Sequence, residues 1–326
     1  MKSPTVSVVM SVYNGEDTLV RTLQSILDQQ GCDFEFIVVD DGSTDGSAAI
    51  LDKWAGSDDR LRVIHQQNTG LTRALILGCA ESQGEFIARQ DCGDISLPGR
   101  LEKQVAALRA DSKISFVSAH TRYVDDDDES LYVSSGTGIA TRPMHIIDLD
   151  RRHGVLDGPT SHPSVMLRKT SYIKAGGYRQ EFHFGQDWDL WYRLAEVGLF
   201  QMIPVIAYEA RVGVGDISTS NKALQEKLAA LSLASFRLRL SGKSDAPVLA
   251  QAHLLRPQRG KKPGRSMSSG ARYFLGECLR RNGSLPKARA YFRAALKDDP
   301  SNLKAWVRLA QIWLAQKSAE PAVRTK

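Results

Sequence analysis

Cysteine is scarce in this chain. Cys32, Cys79, Cys92 and Cys278 lie far apart in 326 residues, and no two have the Cys-x-x-Cys spacing that zinc and redox sites use. A reducing cytoplasm is the compartment this suggests. Long apolar runs are missing as well. The run Val6 to Val12 follows a single Lys2 and soon meets Asn14 and Glu16, too short and too polar downstream for a signal peptide or a membrane span. No other segment reads as transmembrane.

What is present is an ordinary folded composition, 42% hydrophobic and 25% charged, which excludes the fibrous and wholly disordered classes. The length favours one large domain plus one small, or two of moderate size. A net charge of +6 would suit an anionic partner, and charge alone does not choose among a nucleotide, a membrane surface and a nucleic acid. Much of the excess lies late, in Arg256, Arg259, Lys261, Lys262, Arg265 and beyond. That Pro- and Gly-containing stretch reads as a solvated basic linker.

Val6 to Met10 reads as a buried strand, a short branched run closed by the turn chemistry of Tyr13-Asn14-Gly15. A helix follows with Leu19, Leu23, Ile26 and Leu27 at helical spacing, and Phe34 to Val39 is the next strand. The alternation continues with a helix near Ser47 to Trp54, a strand at Leu61 to His65, a helix near Thr72 to Glu81, and a strand at Phe86 to Ala88 that ends on Gln90-Asp91. Such alternation implies an α/β fold with a mostly parallel sheet and helices on both faces. In open sheets of this kind ligands sit beyond the carboxyl ends of the strands. The positions to watch are therefore Ser11 to Asn14, Asp40 to Ser43 and Asp91 to Asp94. The first turn lacks the Gly-x-Gly-x-x-Gly of a dinucleotide-binding oxidoreductase and the Gly-rich basic loop of a nucleotidyltransferase. Further on, Asp125 to Glu129 reads as a solvated acidic turn, because no Gly or Glu follows at the spacing of a calcium loop.

Three constellations could carry chemistry. Asp40-Asp41-Gly42-Ser43 ends a strand on two carboxylates, which are costly there without a ligand or donors, although a helix-capping turn would also explain them. Asp91-Cys92-Gly93-Asp94 ends another strand, and its hard oxygens could hold Mg2+ or Mn2+ against a diphosphate, or form a plain turn. In Gly185-Gln186-Asp187-Trp188, Asp187 stands at the expected start of a helix, where an N-cap is the simple reading.

Six segments in order, Val6 to Asn14, the Asp-Asp-Gly-Ser turn, Asn68 to Leu75, Gly84 to Asp91, Ile95 to Leu101 and Ser161 to Met166, together resemble family 2 glycosyltransferases. The resemblance covers roughly the first two-thirds of the chain and implies the GT-A nucleotide-sugar-binding fold. It implies Ser11, Tyr13 and Asp41 around the base and ribose, Arg73 near the diphosphate, Asp91 at the nucleotide-sugar, and Asp187 as the catalytic base. It further implies a nucleoside-diphosphate sugar donor, UDP-linked, and inverting transfer to a glycan or lipid-linked acceptor in bacterial-type cell-surface polysaccharide or lipopolysaccharide assembly. Such an enzyme is expected in the cytoplasm, at the inner face of the membrane by peripheral contact, with no nucleic acid partner. Two departures stand out: Gly93 occupies the position of the usual second Asp, so that either Asp91 and Asp94 share the binding of Mn2+ or Mg2+ or metal dependence is weak, and Gln186 precedes the base where Glu is common. A non-catalytic module that only binds a nucleotide-sugar or a partner is the alternative that Gly93 permits.

At the other end, Gly276, Ala288, Phe292, Ala295 and Pro300 fall at tetratricopeptide spacing, and Trp306 with Leu309 opens a partial second copy. A small all-α repeat is therefore expected, docked on the catalytic domain or on a protein partner, since arrays need about three repeats. The expected division is 1–245 for the glycosyltransferase domain, 246–268 for the basic linker and 269–326 for the helical segment.

Overall fold

The computed structural model describes residues 3–135, 158–214, 221–256 and 264–319. The apolar runs form parallel strands: β1 (Val6–Val12), β2 (Phe34–Asp40), β3 (Leu61–His65) and β4 (Phe86–Asp91), separated by α1 (Glu16–Leu27), α2 (Ser47–Ala55) and α3 (Leu71–Ala80). The chain continues through β5 (Ile95–Ser96), α4 (Arg100–Ala110), β6 (Ile114–Val124) and β7 (Ser130–Ser134). A 3-10 turn (His162–Ser164) then leads to β8 (Met166–Arg168), α5 (Lys169–Lys174), α6 (Gln186–Val197) and β9 (Leu199–Arg211). Helices α7 (Lys222–Leu240), α8 (Ala246–Leu254), α9 (Arg265–Arg281), α10 (Leu285–Asp298) and α11 (Leu303–Ala319) complete it.

The sheet runs β3-β2-β1-β4-β8-β6-β9-β5, with β7 paired to β6. The four strands expected from the sequence form its parallel half, and β8 joins β4 antiparallel, so the sheet is mixed. Alternation along β1 explains the two covered faces. Val6, Val8, Met10 and Val12 pack with Leu19, Leu23 and Ile26 of α1 and with Leu101 and Leu108 of α4. Val9, on the other face, packs with Leu75 of α3 and with Leu190, Trp191 and Leu194 of α6. No helix among the described residues is long and apolar enough to cross a membrane.

By their contacts the residues gather into two units. The first comprises Met1–Arg122, Val133–Ala210 and Ala223–Pro257, and includes α8, whose buried Ala252 clusters with Phe182 and Leu228. The second comprises Tyr123–Tyr132, Arg211–Lys222 and Gln258–Lys326. Its core joins Leu275 and Leu279 of α9, Ala288, Phe292 and Ala295 of α10, and Ala305 and Ile312 of α11. Gly276 is required by close approach, since a Cβ there would lie 2.8 Å from the Phe292 ring. Leu131 of β7 completes this core.

The acidic stretch differs from its sequence reading. Asp126, Asp127 and Asp128 are exposed, as a solvated turn requires, but Asp125 is fully buried. Its carboxylate accepts from the backbone of Asp127 at 3.1 Å and Glu129 at 2.9 Å, and it pairs with Lys287 of α10 at 2.7 Å. A buried charge persists only where such partners satisfy it.

Candidate active site

The carboxyl ends of β1, β2 and β4 lie side by side because the strands are parallel and in register: Ser11 is level with Val39 on one side and with Asp91 on the other. Beyond β1, Tyr13 is 54% exposed, and Asn14 adopts φ 55°. That turn is laced to the one after β2. The Asn14 amide donates to Ser43 Oγ at 3.0 Å, and Asn14 Oδ1 accepts from the Thr44 amide at 2.7 Å.

Asp41 is buried, and both its oxygens are engaged. Oδ1 accepts from Gln66 Nε2 at 2.6 Å and from the Thr69 amide at 2.8 Å, while Oδ2 accepts from the Gly70 amide at 2.8 Å. Asp41 thus fixes residues 66–70, the approach to α3, whose first turn carries the exposed Arg73. Neighbouring Asp40 takes a different partner. Its Oδ2 lies 2.9 Å from His65 Nδ1, and bonding to Asp40 and Asp52 raises the His65 pKa.

The turn after β4 is built from buried polar groups. Gln90 Nε2 donates to the carbonyls of Asp91 at 3.0 Å and Asp94 at 3.1 Å, and Thr22 Oγ1 donates to the Asp94 carbonyl at 3.0 Å. Gly93 sits at φ +97°, a left-handed conformation that favours glycine. Arg100, wholly buried, donates to Gln90 Oε1, Ser96 Oγ and the carbonyls of Arg89 and Pro163, and stacks on Tyr208. It therefore ties β4, β5 and the 3-10 turn into one frame, at a desolvation cost that lowers its pKa to about 10.

Within that frame two carboxylates face a buried cation. Arg89 donates to Asp91 Oδ1 at 2.5 Å and to the Val9 carbonyl at 3.3 Å, and the Asp91 amide donates to Tyr208 Oη at 3.2 Å. Asp187, the second residue of α6, is partly buried. Burial raises its pKa to about 6; the amides of Trp188 and of Asp187 itself oppose the rise, the Asp91 charge adds to it, and Arg89 opposes it. The same charges act on Tyr178, whose hydroxyl lies 2.7 Å from His162 Nε2. His162 is held neutral, far below its usual pKa, by burial and by Arg89.

Of the residues expected at the site, the structure sets Ser11 level with Asp91 at the strand ends and Asp187 within the field of Asp91, with Tyr13 exposed two residues after Ser11. Asp41 works inward on the loop before Arg73. Asp94 is buried, and its charge falls on Tyr208 and Arg100. Sequence reasoning missed Arg89, Arg100, His162, Tyr178 and Tyr208. Arg89, Arg100 and His162 lie inside the matching segments, so the signal was there without a role attached. Three buried atoms, Arg89 Nε, Gln186 Oε1 and Asp189 Oδ1, have no hydrogen-bond partner among the described residues.

The side chains at the strand ends offer a cation few ligands. Among the described residues no three His, Cys, Asp or Glu side chains converge to hold one. Asp91 has one oxygen on Arg89 and a side chain 38% exposed. Such a carboxylate fits a Mg2+ or Mn2+ ion that takes its remaining ligands from phosphate and water, not a cage made by protein alone.

The family model described as Glycosyl transferase family 2 matches residues 7–174, and the one described as Tetratricopeptide repeat matches 269–312. A Bacillus subtilis (strain 168) protein described as a glycosyltransferase, EpsE, is 33% identical over 201 residues, covering 60% of this chain and 68% of its own length. Chondroitin synthase from Escherichia coli is 28% identical over 221 residues, 68% of this chain and 30% of its own. Among solved structures, S. aureus TarS 1-349 in complex with UDP-GlcNAc aligns with TM-score 0.54 at 14% identity, covering 96% of this chain and 92% of that one. The mannosyltransferase PcManGT of Pyrobaculum calidifontis, in complex with GDP-Man and Mn2+, aligns with TM-score 0.52 at 17% identity, covering 97% and 81%. At these identities the likeness is one of fold.

Proposed function

This chain belongs to glycosyltransferase family 2 and is a glycosyltransferase of GT-A fold, and from that premise we propose that it transfers a sugar from a UDP-sugar, with inversion, to a glycan or lipid-linked acceptor in cell-surface polysaccharide assembly. The observation that carries the reading is Asp187, a partly buried carboxylate at the start of α6 whose pKa is raised to about 6 in the field of Asp91 and Arg89. At a helix start the simple reading of this carboxylate is an N-cap. The raised value suits a base better. Roughly nine-tenths of it is ionised at pH 7, yet it is basic enough to take a proton.

In the proposed reaction Asp187 accepts the proton of the acceptor hydroxyl as that oxygen bonds to the anomeric carbon. The bond from that carbon to the donor phosphate breaks, and the electron pair leaves with the nucleoside diphosphate. Ser11 and Tyr13 bind the nucleoside, and Asp41 holds the loop from which Arg73 reaches the diphosphate. Asp91, together with Asp94, would hold Mn2+ or Mg2+. The ion, when bound, supplies neutralisation of the charge developing on the leaving diphosphate. Naming of TarS with UDP-GlcNAc supports a UDP donor, and naming of EpsE and chondroitin synthase supports a glycan product. The proposed site of action is the cytoplasmic face of the membrane, with the helical repeat recruiting a partner.

The test is turnover of a nucleotide-sugar panel with and without Mn2+, on wild type and on Asp187→Asn and Asp91→Ala. Wild type should turn over a UDP-sugar, Asp187→Asn should keep donor binding and lose about 10²–10⁴-fold in rate, and Asp91→Ala should need more Mn2+ for half-maximal rate. Donor binding with no turnover under any condition would make the chain a binding module. Full activity in excess chelator would remove the ion from the mechanism.

A further inference from the structure

The outermost helix of the second unit carries an apolar stripe that sugar transfer does not use. On α11 the side chains of Ala305 and Ile312 are buried in the helical core, but Leu303 is 75% exposed, Trp306 54% and Val307 52%. At 3.6 residues per turn Leu303, Trp306, Val307 and Ala310 share one face, and Trp313 and Leu314, also more than half exposed, extend it. No charged residue interrupts that face between Leu303 and Leu314. An exposed stripe containing two tryptophans is unusual on a protein surface unless it meets something.

Charge identifies what. From Arg256 to Ala319 the sequence holds fifteen lysines and arginines against three carboxylates. Two of the three are already taken, Glu277 by Arg280 at 2.8 Å, Arg281 at 3.1 Å and Arg308 at 2.9 Å, and Asp298 by Arg272 at 2.7 Å, so the segment keeps a large net positive charge. Helix α11 has no acid at all, and Lys304 stands beside the stripe. A second copy presenting this same helix would bring the same excess and be repelled, whereas an anionic surface would be attracted. The polar edge of Trp306 is already satisfied, its Nε1 donating to the Pro300 carbonyl at 3.0 Å, so its ring can enter an apolar medium without an unpaired donor.

We infer that α11 docks on an anionic lipid surface, its stripe entering the headgroup boundary while Lys304 and the neighbouring basic side chains meet the lipid phosphates. The helix lies on the surface and does not cross it, in keeping with its length of about 25 Å and its buried opposite face. This deepens the peripheral placement proposed above, and its test reads lipid binding independently of sugar transfer.

The full chain is sedimented with vesicles of phosphatidylcholine alone and of phosphatidylcholine with phosphatidylglycerol, while tryptophan emission is recorded. Binding to the anionic vesicles with a blue shift, weakened by salt, is expected. The variant Leu303→Ser/Trp306→Ser/Val307→Ser should bind them about tenfold or more weakly while keeping the wild-type melting curve and donor turnover, and Lys304→Glu should weaken binding without touching the stripe. Equal binding by wild type and triple variant would overturn the inference. So would a wild-type dimer in light scattering that the triple variant abolishes, because the face would then belong to a second copy.

Discussion

Arg89 and Asp91, two residues apart on one strand end, are held 2.5 Å apart with the cation 3% exposed and the carboxylate 38% exposed. The guanidinium is thus a fixed internal counter-charge beneath a carboxylate that meets solvent, and Asp187 feels both partners. Neutralising either one should move Asp187 in a known direction.

In Asp91→Asn the negative neighbour of Asp187 is gone, so the Asp187 pKa falls and the acid limb of the pH-rate profile moves below about 6. In Arg89→Met the opposing cation is gone, and the limb moves up. The Arg89→Lys variant should restore part of the shift. Profiles of kcat against pH check this, and limbs that move together in the same direction would refute the assignment.

Because its pKa is raised in the folded state, Asp187 binds a proton more tightly there than in the unfolded chain. Stability from this group therefore falls as pH rises from about 4 to about 6 and stays low above that. Replacing it by Asn should raise stability at pH 8 by on the order of 1–3 kcal/mol and have little effect near pH 4. Paired melting curves at the two pH values decide it. An equal gain at both would point to packing instead of ionisation.

Restoring the acid usual for the family at position 93 should not come free. Space for a Cβ exists, with Thr18 Oγ1 nearest at 3.5 Å, but φ +97° strains any L side chain. A loss of roughly 1–2 kcal/mol is expected for Gly93→Asp, measured by denaturant unfolding. A variant as stable as wild type would mean that the turn relaxes readily.

Removing Lys287 leaves the buried Asp125 without its cation. Lys287→Ala should destabilise the helical unit by about 3–5 kcal/mol, and Asp125→Asn in the same chain should return part of that. Calorimetry of the single and double variants reads the coupling, and strictly additive losses would deny the pair.

Much of the parallel half was legible because β1, β2 and β4 are short apolar runs closed by turn residues, which leaves little choice but buried strands. The same local logic placed Asp187 at a helix start. It failed for Asp125, because adjacent carboxylates read as solvent-facing unless a distant lysine is known to arrive. Arg100 was opaque for a similar reason. A charged side chain is assigned outside by default, and only the fold shows that the carbonyls of Arg89 and Pro163 converge on its guanidinium. The tail posed the opposite problem: its repeat spacing was plain, but nothing local revealed that Leu131 completes its core.

That last feature bears on how the chain is made. Leu131 and Asp125 emerge from the ribosome long before Phe292 and Lys287, the groups that cover and neutralise them. At about 5–20 residues per second the delay amounts to roughly ten to thirty seconds. During synthesis, then, a hairpin with two stacked tyrosines, Tyr123 and Tyr132, waits half-finished while the chain returns to the residues of the other unit. Nascent chains halted before α10 would present that hairpin to proteases and holding chaperones, and chains released after it would not.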